Sequence, residues 1–295
     1  MQADSFKGIY ALLLTPFQED GLIDWPGYER YVDWQLSHRP HHLFAVCGSS
    51  EMRMLDLQER LKLAERAIAR AGDTPVVATA NVESSLDAQK EELRRMEQTG
   101  VSALVLTTQG LGDEDERLIE YVETMAALTS LPIILYELPG AGPRCIRPSV
   151  YKHFVDAGTI VGVKDTTCTI EGITGKIKEA PSSQVLQANI PFVLDALRAG
   201  AGGVMSTLST ACTPLLLKLW EEVIRNDGAA DDTHGLLVGL NSVLGSCFPS
   251  TAKYWVSLTG IPIRPLTRQG NTLEPAHARA VRAWYDWAVR QGIIL

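Results

Sequence analysis

The sequence is short of paired cysteines, of basic runs and of uninterrupted apolar stretches, and each shortage excludes a class of protein. Its five cysteines, Cys47, Cys145, Cys168, Cys212 and Cys247, are odd in number and far apart, and no C-x-x-C occurs. That spacing gives neither a disulfide framework nor a zinc site and fits the reduced thiols of a cytoplasmic protein. Acidic residues outnumber basic ones, 35 to 27, and no Lys/Arg run is present. Nucleic acid and anionic membrane are therefore excluded as partners, because both need a basic face. The most apolar stretch, Gly202 to Trp220, is broken by Ser206, Thr207, Ser209, Thr210, Thr213, Pro214 and Lys218, so it does not read as a membrane span. The opening MQADSFKGIY lacks the basic-then-apolar order of a secretory signal. No G-x-G-x-x-G follows the first apolar run, which counts against a dinucleotide-binding sheet.

What remains is 295 residues, 45% apolar and 21% charged, the proportions of an ordinary globular chain. Short β-branched runs alternate with amphipathic stretches. Strands are predicted at Gly8–Leu14, Leu43–Cys47, Pro75–Ala80, Ala103–Leu106, Ile133–Tyr136, Ile160–Val163, Val185–Gln187 and Gly203–Met205. Helices are predicted between and after them, the eighth running from Pro214 to Arg225. Eight strand–helix units with crossovers of this length predict an α/β fold, a closed (β/α)8 TIM barrel, with an open doubly wound sheet as the alternative. After Asn226 the strand signal stops. Asp227 to Thr233 reads as a polar linker, followed by helices at His234–Ser246, Ser250–Leu258 and Pro275–Gln291. The reading is a barrel over 1–225 and a C-terminal helical extension over 226–295, too small to hold a core alone.

In such barrels reactive groups cluster at the C-terminal ends of the strands. Lys164 ends the run Ile160-Val161-Gly162-Val163, whereas the other eight lysines lie in helices, loops or the chain start, within reach of water. A desolvated amine loses its charge easily and attacks a ketone to form an imine. The alternative is a structural lysine neutralised by Asp165. Tyr136 ends the preceding strand and is placed to shuttle protons, or else is a packed rim aromatic. In Cys47-Gly48-Ser49-Ser50-Glu51 the small residues allow a tight turn whose amides and hydroxyls suit a carboxylate, or form a plain loop. Asp56 and Glu59 read as a capping box.

These motifs together resemble the dihydrodipicolinate synthase / N-acetylneuraminate lyase family. Gly8-Ile9-Tyr10-Ala11-Leu12-Leu13-Leu14-Thr15-Pro16-Phe17 is similar to its opening G-x-x-x-A-x-x-T-P-F. Gly48-Ser49-Ser50-Glu51 matches its G-T-T-G-E or G-S-T-G-E, Tyr136-Glu137-Leu138-Pro139 its Y-N-x-P, and Gly162-Val163-Lys164-Asp165 its G-x-K-D/E. The resemblance implies a class I, metal-free aldolase or lyase with no cofactor. It would act on pyruvate or a related 2-oxo acid and on an aldehyde acceptor. Lys164 would be the Schiff-base lysine and Tyr136 the proton relay. Gly48, Ser49 and Ser50 would hold the carboxylate, and Arg144, Asn189 and Met205 would line the substrate site. It also implies a homo-oligomer, a dimer or tetramer. The chain departs from the lysine-pathway synthases at three points. Gly48 stands for their first threonine, Thr107–Gly112 has no second tyrosine, and Ala141 replaces their substrate arginine. A Schiff-base sugar-acid dehydratase and a non-catalytic barrel that binds a 2-oxo acid are the rival functions.

Other signals read as structural. Asp113–Glu116 suits the positive end of the fourth helix better than a metal. His38, His41 and His42 read as an exposed loop. Gly200–Gly203 precede the eighth strand and so form a turn at the far end of the barrel from the site.

Overall fold

The computed structural model describes residues 3–108, 111, 114–138 and 145–293. Eight strands close a parallel barrel in chain order: β1 Gly8–Leu12, β2 His42–Val46, β3 Val76–Thr79, β4 Ala103–Thr107, β5 Ile133–Tyr136, β6 Gly162–Asp165, β7 Gln184–Gln187 and β8 Gly203–Val204. Eight helices alternate with them: α1 Trp25–Ser37, α2 Leu57–Ala71, α3 Leu86–Gln98, α4 Asp115–Ala126, α5 Pro148–Asp156, α6 Ile170–Glu179, α7 Ile190–Arg198 and α8 Ser209–Ile224. Three more follow, α9 Ala230–Gly245, α10 Ser250–Leu258 and α11 Pro275–Arg290.

Alternation along each strand sorts the core. Tyr10, Leu12, Phe44, Val77, Val105, Ile134, Tyr136 and Leu186 fill the barrel interior, while Ile9, Ala11, Leu43, Ala78, Leu104, Leu135 and Val163 face the helices. Both faces are apolar because helices cover the outside, which is why the strands read as continuous apolar runs. The barrel closes where Gly8 pairs with Gly203. A Cβ on Gly203 would stand 2.0 Å from the Gly8 carbonyl oxygen, so only glycine permits this approach.

The floor is plugged by a short 3-10 helix, Ala3–Phe6, whose Phe6 enters the interior. Tyr10 donates its hydroxyl to Phe6 O at 2.8 Å, and the His42 ring stacks on Tyr10 at 4.2 Å. His42 Nε2 lies 2.9 Å from Ser5 O. The histidine cluster is thus not an exposed loop throughout: His42 is a buried floor residue, and burial holds it neutral, down to about 4.

Most boundaries shift by one or two residues, and two helix starts move further. α8 begins at Ser209, five residues before Pro214, with a kink at Cys212. Proline cannot bond back to Thr210 O, and that carbonyl instead accepts from Tyr31 Oη at 2.7 Å and Gln35 Nε2 at 3.1 Å of α1. α9 begins at Ala230, inside the expected linker, because Asp231 and Asp232 favour a helix N-terminus as much as they suit a loop. The capping box at Asp56 and Glu59 is present, with both reciprocal bonds. α9 packs on α7 and α8, and α10 on α8 and α11. Trp255 of α10 is buried against Trp284 and Tyr285 of α11. No described helix is long and apolar enough to cross a membrane.

Candidate active site

Lys164 and Tyr136 occupy matched positions on β6 and β5, so their side chains enter the barrel mouth side by side. The Lys164 ammonium nitrogen lies 4.0 Å from the Tyr136 ring centroid and 5.6 Å from that of Phe44. Lys164 is 2% exposed and, among the described residues, its ammonium has no hydrogen-bond or ion-pair partner. Desolvation draws its pKa from the ordinary lysine value down to about 8, with Cys47 opposing the shift.

Asp165 does not neutralise it. The aspartate points the other way along the strand and accepts from Lys176 Nζ at 2.6 Å, Thr167 N at 2.9 Å and Gln187 Nε2 at 3.0 Å. The elimination that singled out Lys164 is corrected on two counts: Lys176 and Lys253 are also buried, although both lie on helices. Each is paired with carboxylate, Lys176 with Asp165 and Glu137, Lys253 with Glu51. What sets Lys164 apart is burial without a counter-charge.

Tyr136 is 4% exposed and its hydroxyl has no hydrogen bond among the described residues. Burial pushes the phenol well above its usual value, the nearby Cys47 pushes the same way, and Arg53 pulls it back. The phenol is therefore protonated at neutral pH.

The turn after β2 is a 3-10 helix over Gly48–Ser50. Ser49 is buried and its Oγ has no hydrogen-bond partner among the described residues. Ser50 is committed to the turn itself: its Oγ accepts from Cys47 N at 2.8 Å and donates to Cys47 O at 2.8 Å. A Cβ on Gly48 would stand 3.3 Å from Tyr136 Oη. Gly48 also lines a cavity of about 280 Å³, together with Glu51, Met52, Arg53, Met54, Leu138 and Gln269.

Met205 is fully buried in the interior cluster beside Tyr136 and Phe44. Asn189 stands at the N-terminus of α7 without capping it. Its amide nitrogen donates to Thr166 O at 2.8 Å and to Cys168 Sγ at 3.2 Å, which commits that end to the β6 loop. Arg144 lies outside the described residues. Arg147, from the same loop, pairs with Asp115 at 3.0 Å. Sequence reasoning missed Phe44, Arg53 and Thr79. Thr79 Oγ1 is a second buried hydroxyl without a partner among the described residues, on the strand face it shares with Val77. The period-2 pattern of β2 and β3 carried Phe44 and Thr79, but Arg53 had no signal before the loop was seen.

Comparison with known proteins bears on the family and the fold. The profile of the Dihydrodipicolinate synthetase family matches residues 5–279. A 4-hydroxy-tetrahydrodipicolinate synthase of Gluconacetobacter diazotrophicus is 28% identical over 284 residues, spanning 90% of this chain and 94% of its own length. One from Bacillus subtilis is 26% identical over 209 residues, 70% of this chain and 72% of its own. Among solved structures, N-acetylneuraminate lyase from Fusobacterium nucleatum complexed with pyruvate superposes with a TM-score of 0.90 at 19% identity, covering 97% of this chain and 98% of that one. YagE, a prophage protein from E. coli K12 in complex with pyruvate, gives 0.88 at 21%, covering 98% and 99%. At these identities the superpositions speak for the fold, and the profile speaks for descent. With that profile running from the barrel floor into the last helix, the chain belongs to the dihydrodipicolinate synthetase family, as a class I aldolase or lyase.

Proposed function

We propose that the chain forms a Schiff base between Lys164 and the keto carbon of pyruvate or a related 2-oxo acid, and makes or breaks a carbon–carbon bond beside it. The observation that carries this is the buried, unpaired Lys164 amine between Tyr136 and Phe44. In the aldol direction the neutral amine adds to the carbonyl, and the carbinolamine loses water to give the iminium. A proton then leaves the adjacent carbon, and the resulting enamine attacks the aldehyde. Hydrolysis returns the lysine. The iminium is the electron sink, so the chemistry calls for no metal.

Tyr136, protonated and in register with Lys164, carries protons to and from the carbinolamine. The buried Ser49 hydroxyl donates to the 2-oxo acid's carboxylate, with the Gly48–Ser50 turn shaping its seat. Met205 forms the apolar floor beneath the bound acid.

Incubation with pyruvate and borohydride is expected to leave a reduced adduct at Lys164 by peptide mass mapping, and none in Lys164→Ala. No adduct with pyruvate, 2-oxobutyrate or 2-oxoglutarate sinks this function. Ligand-induced thermal stabilisation without an adduct would instead favour a binding barrel. An adduct with sugar acids that lose water, and no aldol product, would favour the dehydratase.

A further inference from the structure

The cavity outside Tyr136 has one unbalanced charge. Arg53 lies in the 3-10 helix Met52–Met54, directly after Glu51, whose φ of 59° is left-handed. Among the described residues it has no hydrogen-bond or ion-pair partner. Other arginines are paired: Arg60 with Glu92, Arg264 with Glu19, Arg268 with Glu59 and Arg147 with Asp115. The adjacent Glu51 is not available to it. One Glu51 oxygen accepts from Lys253 at 2.7 Å, and the other accepts from the amides of Arg268 at 2.8 Å and Gln269 at 3.0 Å.

Apart from Glu51 and Gln269, the rest of the wall is apolar. Met52, Met54 and Leu138 line the same cavity, and Met54 is 46% exposed. Gly48 belongs to this lining and stands beside the Tyr136 hydroxyl, which a Cβ at that position would approach to 3.3 Å. A guanidinium with no partner among the described residues, a thioether and leucine wall, and a glycine that also borders the proton-carrying phenol together describe a cradle for a short chain with one acidic end.

We propose that Arg53 binds a carboxylate on the second substrate of this site, fixing an aldehyde-bearing acid with its apolar chain along Met52, Met54 and Leu138 and its reactive carbon toward Tyr136. Only the ligand's identity as a substrate rests on the Schiff-base function; the anion cradle itself does not. Arginine presents paired donors to a carboxylate, and the contact is charge-assisted. Arg53 reaches solvent, so salt weakens the contact.

The test uses the whole chain and two probes that form no imine. They are 4-hydroxybutyrate, which keeps the carboxylate and chain length of a four-carbon acidic aldehyde, and 1,4-butanediol, its uncharged counterpart. Calorimetric titration is expected to show 4-hydroxybutyrate binding to the wild type in preference to the diol. Arg53→Ala should weaken that binding about tenfold, and Arg53→Lys by less. Equal affinity of wild type and Arg53→Ala overturns the proposal, since it would place the carboxylate elsewhere, as at Ser49. Absence of any wild-type binding at millimolar concentrations overturns it too. Borohydride trapping with pyruvate is run on the same samples. A missing Lys164 adduct beside a clear Arg53-dependent affinity would defeat the Schiff-base function and leave the cradle standing.

Discussion

Three lysines are buried in this protein, and their surroundings give them three different states. Lys176 is held charged: burial opposes its charge, but Glu137 and Asp165 more than offset that and raise its pKa. Lys253 faces one carboxylate, and burial still draws it to about 8. Lys164 reaches about 8 with no carboxylate beside it, only aromatic faces that favour a nearby cation weakly. With a pKa of about 8, about a tenth of the amine is neutral at pH 7, against a few parts in ten thousand for an ordinary lysine. The rate of borohydride trapping with pyruvate is therefore expected to rise with pH and level off above about 8. A plateau reached only beyond pH 10 would mean that the amine is not desolvated. The stability sign follows from the same shift. Between about 8 and 10.5 the folded chain holds fewer protons than the unfolded one, so this lysine favours folding increasingly as pH rises through that window. Lys164 was legible in the sequence because an amine at a strand end is conspicuous. Lys176 and Lys253 were not, because helical spacing does not reveal which helix face meets a buried carboxylate.

At the scale of elements, the lysine and tyrosine keep their places because β5 and β6 are tied together just beyond them. Glu137 is the tie: one oxygen accepts from Ile146 N at 2.7 Å and the other from Thr166 N at 2.8 Å. Thr166 also donates its hydroxyl to Glu137 O at 2.8 Å. Lys176 of α6 neutralises both Glu137 and Asp165, at 2.7 and 2.6 Å, and so joins the two loops to the helix behind them. This accounts for glutamate where the family pattern Y-N-x-P has asparagine: the added negative charge has a buried cation waiting. Lys176→Met would leave two buried carboxylates uncompensated and is expected to cost about 3–5 kcal/mol in urea denaturation. A loss below about 1 kcal/mol would show that the network is neutral to folding. Element types and order were readable, since apolar runs and crossover lengths fix a parallel barrel. Boundaries were less so wherever a partner supplied the missing hydrogen bonds, as α1 does for the Thr210 carbonyl ahead of Pro214.

At the scale of the whole molecule, the helices after the barrel reach back to the mouth. Lys253 of α10 is fully buried, donates to Glu51 at 2.7 Å and to Leu266 O at 2.6 Å, and sits over the Phe17 ring at 4.5 Å. Beyond α10, Arg268 forms a two-pronged bond to Glu59 at 2.7 Å on each nitrogen and donates to Gly21 O at 2.9 Å. The tail thus grips the loops after β1 and β2, and its grip centres on Glu51, a left-handed residue whose backbone is sterically costly unless held. The sequence showed the helices and the glutamate but not that they meet, because a contact across about 200 residues leaves no local pattern. Lys253→Met should therefore do two things. Leaving Glu51 buried and unpaired is expected to lower stability by about 3–5 kcal/mol, and the loosened Gly48–Glu51 turn should slow pyruvate trapping at Lys164. Adding Glu51→Gln removes the stranded charge, so the double variant should cost about 1–3 kcal/mol less than the sum of the two single changes. Strict additivity in urea denaturation, with trapping unaffected in every variant, would mean that the tail only covers the barrel wall and does not shape the site.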